Sequence, residues 1–282
     1  MGILIELLFN ILLEVPIVRG IILSVIPSYF LLRWIRSKDY MEPEPPELIW
    51  KLAALGGLSV GLSFLLEMGL LYVLTRTISQ DQFIFTLIKW FVVVGLAEEG
   101  CKFLMLRLCT WKDENFNCLY DGLLYSVAVS AGFAVIENII YLIRYGNFTV
   151  LLRGITSVPA HICFAIFMGT WYSAAKKYEI AGDVRRKKTS LTLAIVVPAL
   201  MHGLFDLLAD LASTGAAVVF YLAVIVMFVV SWRQLKKMAE SDAFLDGSPL
   251  AKILFPKFYE SHPTVKSEGS EKNEAAEDAR RS

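Results

Sequence analysis

Long apolar stretches separated by short polar connections run along the chain from residue 3 to residue 232. A run of about 20 apolar residues without a helix breaker is long enough to cross a bilayer as an α-helix. The first stretch, residues 3–34, carries Glu14, Pro16, Arg19 and Pro27. It reads either as a surface-lying segment followed by a span or as one kinked, tilted helix. The polar loop after it contains Glu42-Pro43-Glu44-Pro45-Pro46-Glu47, whose prolines forbid a continuous helix. Further spans are expected at about 52–74, 83–109, 119–143, 151–175, 191–211 and 216–232. The fold class is therefore all-α: a polytopic transmembrane helical bundle of about seven spans, or eight if the first stretch crosses twice. Gly56, Gly57, Gly61 and Gly69 in the second span predict close approach between helices, and Ser126, Ala128, Ser130, Ala131, Gly132 and Ala134 mark a tightly packed face on the fourth. Residues 1–51 then form an N-terminal membrane segment with a Pro-rich loop, 52–238 the transmembrane core, and 239–282 a charged tail expected to be disordered.

Composition strengthens this picture. Of the 282 residues 56% are hydrophobic, above the roughly 45–50% of soluble domains. Net formal charge is zero, so the total gives no sign of nucleic-acid binding, and the position of the charges carries the information. Basic residues gather at Arg33, Arg36, Lys38 and Lys51, at Lys176, Lys177, Arg185, Arg186, Lys187 and Lys188, and at Arg233, Lys236 and Lys237. The alternation places the N-terminus outside and the C-terminus in the cytoplasm of a multi-pass cell-membrane protein. The N-terminus has no basic region of the kind that precedes a cleaved signal. Cys101, Cys109, Cys118 and Cys163 have neither disulfide-framework nor CxxC spacing and read as free thiols.

The chemistry concentrates in Gly95-Leu96-Ala97-Glu98-Glu99-Gly100-Cys101-Lys102, in the middle of the third span. Charged groups at such depth are costly and are kept when paired, neutralised or used. On a helix Lys102 lies one turn from both Glu98 and Glu99. One glutamate with the lysine would make a structural ion pair; a second beside it suits an acid and base of unlike pKa. Glu98 is nine residues past Lys89, Glu137 seven before Arg144, His161 eight past Arg153, and His202 about ten before the end of its span. At 1.5 Å per residue all four sit roughly 10–15 Å below one surface. Asp206 lies one turn from His202. A single membrane histidine is as readily a hydrogen bond between helices; the common depth of these groups argues for one site. Glu67 has no obvious match and reads as structural or lipid-adapted. The set suits water activation, a carboxylate taking the proton and an imidazole orienting water or steadying an oxyanion. It equally suits a divalent metal such as Zn²⁺, with Glu98, Glu137, His161 and His202 as candidate ligands from several helices. HExxH and GxSxG are absent from the sequence.

These residues resemble a known family. Glu98-Glu99-Gly100-Cys101-Lys102 resembles the EExxK motif of the PrsW intramembrane proteases. Asp121-Gly122-Leu123-Leu124-Tyr125, followed by Gly132-Phe133-Ala134-Val135-Ile136-Glu137-Asn138, resembles that family's DGxxY…GFxxxEN segment. Pro159-Ala160-His161 falls where the family has an isolated His, and Pro198-Ala199-Leu200-Met201-His202-Gly203-Leu204-Phe205-Asp206 resembles its PxxxHGxxD motif. Phe133 and Glu137 fit FxxxE rather than the FxxxH of the related CAAX-processing proteases, and Asp206 stands where those have Asn. The resemblance implies an intramembrane endopeptidase, glutamic-type without a cofactor or metal-dependent with Zn²⁺. Its partners would be the lipid bilayer and a membrane-anchored protein substrate, typically a single-span anti-sigma factor cut near its outer side. The site residues expected are Glu98 as general base, Glu99 tuning it, Lys102 partly neutralising the pair, Glu137 and His161 positioning water or metal, and His202 oriented by Asp206. A proton-coupled transporter using these groups as a relay, or a non-catalytic scaffold, are the rival readings. Paired repeats and interrupted helices, the marks of a transporter, are not evident in the sequence.

Overall fold

The prolines and charged loops end the helices where the sequence places its polar breaks. The structure is a computed structural model describing residues 16–211 and 214–245. Helix α1 spans Pro16–Arg36; Pro45 and Pro46 then set the start of α2, Pro46–Thr77, where missing N–H groups cost nothing. Next come α3 (Phe83–Ile88), a π-helical segment (Lys89–Leu96) and α4 (Ala97–Thr110). Their junction residues all keep right-handed helical dihedrals, so 83–110 is one rod with a wider turn in its middle. The remaining helices are α5 (Leu119–Tyr145), α6 (Asn147–Ile155), α7 (Ser157–Ile180), α8 (Val184–Asp210) and α9 (Thr214–Glu240).

Six helical stretches are individually long and apolar enough to cross a membrane: Ile17–Arg36, Pro46–Thr77, Leu119–Tyr145, Asn147–Ile180, Val184–Asp210 and Ala217–Glu240. The rod 83–110 supplies the seventh, in agreement with the expected bundle. The part of the first apolar stretch before Pro16, and the tail after Leu245, lie outside the described residues. One expected span differs in form. The fifth begins earlier, as α6, and bends at Thr156 before continuing as α7. Helix α6 turns Val150 and Gly154 inward and leaves Phe148, Leu151 and Ile155 exposed to the surroundings.

Helix α5 is the axis of the bundle. Tyr120, Leu123, Leu124, Tyr125, Val127, Ala128 and Val129 are all fully buried, because α1, α2, α7 and α4 pack around them. The small residues foreseen on this helix are what permits it. A methyl group on Gly56 would stand 1.8 Å from the Val129 carbonyl oxygen, and one on Gly132 would stand 1.8 Å from that of Ala53. Gly61 and Gly69 face open space instead and take no part in this contact. They belong to the outward part of α2, where Leu58, Leu65 and Tyr72 are exposed as a lipid-facing surface.

At one end of the bundle two connections meet. Cys118 and Phe244 form an isolated antiparallel bridge, Leu119 N–H donates to Ala243 O and Leu245 N–H to Asn117 O. Residues 239–245, read from sequence as the start of the tail, are thus helical or docked onto the beginning of α5.

Candidate active site

The π-helical segment prepares the site. Its wider turn brings Gly95 so close to α8 that an added Cβ would lie 2.7 Å from Ala199 O, while one on Gly203 would meet Phe91 at 2.7 Å. Turns of this kind recur at functional sites because they re-aim the side chains beyond them. Directly after this one comes the first turn of α4, which carries Glu98 and Glu99, with Lys102 one turn on.

Lys102 is at the centre and is 1% exposed. Its ammonium donates to Glu99 Oε1 at 2.6 Å and Glu98 Oε2 at 3.4 Å, and to His161 Nδ1 at 3.1 Å. The ring of Phe133 lies 3.9 Å beneath it. His161 comes from α7; its Nε2 pairs with Glu137 Oε2 of α5 at 2.8 Å. His202 comes from α8, with Nδ1 3.0 Å from Glu99 Oε1 and Nε2 3.3 Å from Asp206 Oδ2. Phe164 stacks on the His202 ring at 4.9 Å, and the two imidazoles stand perpendicular, 5.1 Å between centroids. All seven residues singled out from the sequence therefore meet in one cluster, drawn from four helices.

The two glutamates are not equivalent. Glu98 lines a cavity of about 680 Å³ together with Glu67, Glu137, His161, His202 and Asp206. Glu99 is wholly buried behind it, tied to Lys102 and His202, with its Oε2 lacking any hydrogen-bond partner.

Two residues join the site that the sequence reading left aside. Arg153, at the end of α6, places Nη2 2.7 Å from Glu137 Oε2, donates Nε–H to Asn138 Oδ1 at 2.9 Å and stacks over Tyr141. From sequence it served only as the landmark from which the depth of His161 is counted. Glu67 lines the cavity rather than facing lipid. It lies nine residues before Arg76, about 14 Å along the helix, the same depth as the others. Depth would have included it.

The donor set fits a divalent metal. Ligand atoms of Glu98, Glu99, His161 and His202 lie within 4.8 Å of one another, all from buried residues. Each histidine is held at Nε2 by a carboxylate, Glu137 or Asp206; His202 turns Nδ1 to Glu99, and His161 turns Nδ1 to the Lys102 ammonium that bridges it to the glutamate pair. Carboxylate-anchored imidazoles of this kind are how metal-binding histidines are oriented. The orphaned Glu99 Oε2 is a further free donor. Glu137, read from sequence as a candidate ligand, stands behind His161 instead, its Oε2 shared between that ring and Arg153.

The family model described as PrsW family intramembrane metalloprotease matches residues 44–232. Protease PrsW of Clostridioides difficile is 33% identical over 220 residues, covering 77% of this chain and 90% of that protein. Protease PrsW of Oceanobacillus iheyensis is 31% identical over 218 residues, covering 77% and 95%. Protease PrsW of Bacillus subtilis is 30% identical over 215 residues, covering 76% and 91%. No solved structure matches the chain.

Proposed function

The chain belongs to the PrsW family of intramembrane metalloproteases and is a peptidase of the membrane; we propose that it cuts a membrane-anchored, single-span protein near the outer leaflet, an anti-sigma factor being the substrate type the resemblance implies. The N-terminus lies outside and the C-terminus in the cytoplasm. The observation that carries the reading is the cavity in which Glu98 meets His161, His202 and Asp206 within the apolar bundle.

Glu98 is the base. It alone of the pair borders the cavity, where water and an extended peptide have room, and it takes the proton as water attacks the scissile carbonyl. The same carboxyl then returns the proton to the departing amine as the C–N bond breaks. His202, steered by Asp206, faces the oxygen on which negative charge develops. Lys102 balances the buried carboxylates and keeps Glu99 in place, and Glu137 fixes the ring of His161. A divalent ion such as Zn²⁺, held by Glu99, His161 and His202, would supply Lewis-acid polarisation of the carbonyl and of water.

The test is a cellular or reconstituted assay on single-span substrates. Glu98→Gln, expressed at wild-type level, is expected to lose cleavage by about 10²–10⁴-fold; full activity would sink the assignment. A C-terminal tag is expected to resist protease added outside intact cells.

A further inference from the structure

The geometry points to a second cation site, for a hard divalent ion such as Mg²⁺, Ca²⁺ or Mn²⁺, formed by Asp39, Glu44 and Asp121 at the end of the bundle away from the active site. Asp121 sits in the first turn of α5, sixteen residues before Glu137, or about 24 Å along the helix. Asp39 and Glu44 come from the Pro-rich loop between α1 and α2. Ligand oxygens of the three lie within 4.8 Å of one another. Oxygens 2.3–2.6 Å from a central Ca²⁺ stand at most about 5 Å apart, so one ion can touch all three. A donor set of carboxylate oxygens alone selects hard cations over Zn²⁺.

Acidic clusters on protein surfaces are common, and this one differs in two ways. It is buried: Asp39 is 7% exposed, Glu44 2% and Asp121 1%. It is also under-satisfied, because no hydrogen bond of ordinary geometry reaches Asp39 Oδ1, Asp39 Oδ2 or Asp121 Oδ1. The amides of Glu42 and Glu44 point at Asp39 as loose donors, beyond ordinary hydrogen-bond geometry. The bonds that do exist hold the other oxygens: Tyr125 O–H donates to Glu44 Oε2 at 2.7 Å, and the N–H groups of Asn117 and Cys118 donate to Asp121 Oδ2. Glu44 and Asp121 also face each other side chain to side chain, so the three carboxyl groups share one buried pocket with three of their oxygens lacking an ordinary hydrogen bond.

Among the described residues, Arg36 is the cation that acts on this cluster, and it does so without an ion pair. Among the described residues, none of the three carboxylates forms a salt bridge. Arg36 gives its Nη2 hydrogen bond to the Glu44 carbonyl and acts on Asp39 only through space. The other ionisable neighbours of the cluster, Glu42 and Asp242, are acidic as well. Asp242, 1% exposed, comes just after α9 and accepts the Tyr120 N–H, so an ion here would tie the N-terminal loop, α5 and the docked segment after α9 together. The competing account is that protons alone neutralise the cluster.

Mn²⁺ is the probe. The full chain in detergent, carrying His202→Ala so that the intramembrane site is weakened, is titrated with Mn²⁺ while free ion is followed by electron paramagnetic resonance. The expected result is one Mn²⁺ held per chain, displaced by excess Mg²⁺ or Ca²⁺. Asp39→Asn with Glu44→Gln should weaken this binding by about tenfold or more. Two outcomes overturn the site: no Mn²⁺ retained by the His202→Ala protein, which leaves protons as the neutralising species, or retention indifferent to the Asp39 and Glu44 changes. The first needs no alteration of the cluster and so stands even if the double variant fails to fold.

Discussion

At the scale of single residues, the site depends on Glu137 Oε2 serving two neighbours at once. That oxygen holds His161 by one lone pair and Arg153 by another, so the guanidinium, which itself lines the cavity, sets the angle of the imidazole. Arg153→Gln is expected to lower kcat by roughly 10–100-fold, as loss of a supporting partner does in comparable sites. Arg153→Lys should restore part of it, because a single ammonium can reach Glu137 but cannot also bridge to Asn138. The Zn²⁺ concentration for half-maximal activity should rise in the Gln variant; an unchanged requirement together with a lower melting temperature would mark Arg153 as merely structural. The motifs around Glu98, Glu137, His161 and His202 were legible because rare charged types stand out against an apolar background. Arg153 was not, since an arginine near a helix end has an ordinary explanation as an interfacial anchor.

At the scale of helices, two devices hold the bundle together. The first is the contact of α2 with α5, where backbone meets backbone at Gly56 and Gly132. Gly56→Leu has no side-chain end that can yield, only the Val129 carbonyl, and is expected to destabilise the protein by at least the 1–3 kcal/mol of ordinary overpacking. Thermal unfolding in detergent measures it, with Gly61→Leu, in open space, as the neutral control. The glycine-rich pattern announced such a contact but not which glycines made it, because that depends on how α2 is rotated. The π-helical turn left no trace in composition; Lys89–Leu96 reads as an ordinary apolar helix, and the widening shows only in the close contact of Gly95 and Phe91 with α8.

The second device is the acidic loop. Burial pushes Asp39 up to about 6 and Glu44 up to about 7, and likewise lifts Asp242 to about 7. An unfolded chain releases the corresponding protons near pH 4. Between about pH 4 and 7 the folded protein therefore retains protons that the unfolded one has lost, so stability falls as pH rises through that window. In chelator, the melting temperature of the wild type should drop across it, and Asp39→Asn with Glu44→Gln should flatten the slope. An equal slope in both proteins would contradict the assignment.

For the molecule as a whole, seven crossings and a common depth for the titratable groups were readable from hydropathy and spacing alone, since lipid allows so few backbone solutions. What stayed hidden were encounters between loops. Asp39 and Glu44 looked like solvated residues of a Pro-rich connection until Asp121 and the segment after α9 closed over them. Neither hydropathy nor local spacing encodes a meeting of residues 39, 121 and 242.

Small zinc domains collapse on chelation because nothing else offsets their clustered donors. Here Lys102 already places a fixed positive charge among Glu98, Glu99 and His161. Stripped of the proposed Zn²⁺, the enzyme should therefore keep its architecture as a dormant, rechargeable form: a strong chelator should silence cleavage while shifting the melting temperature by no more than a few degrees, and added Zn²⁺ should revive the same molecules without refolding. Lys102→Met should abolish that resilience, turning a reversible pause into irreversible loss.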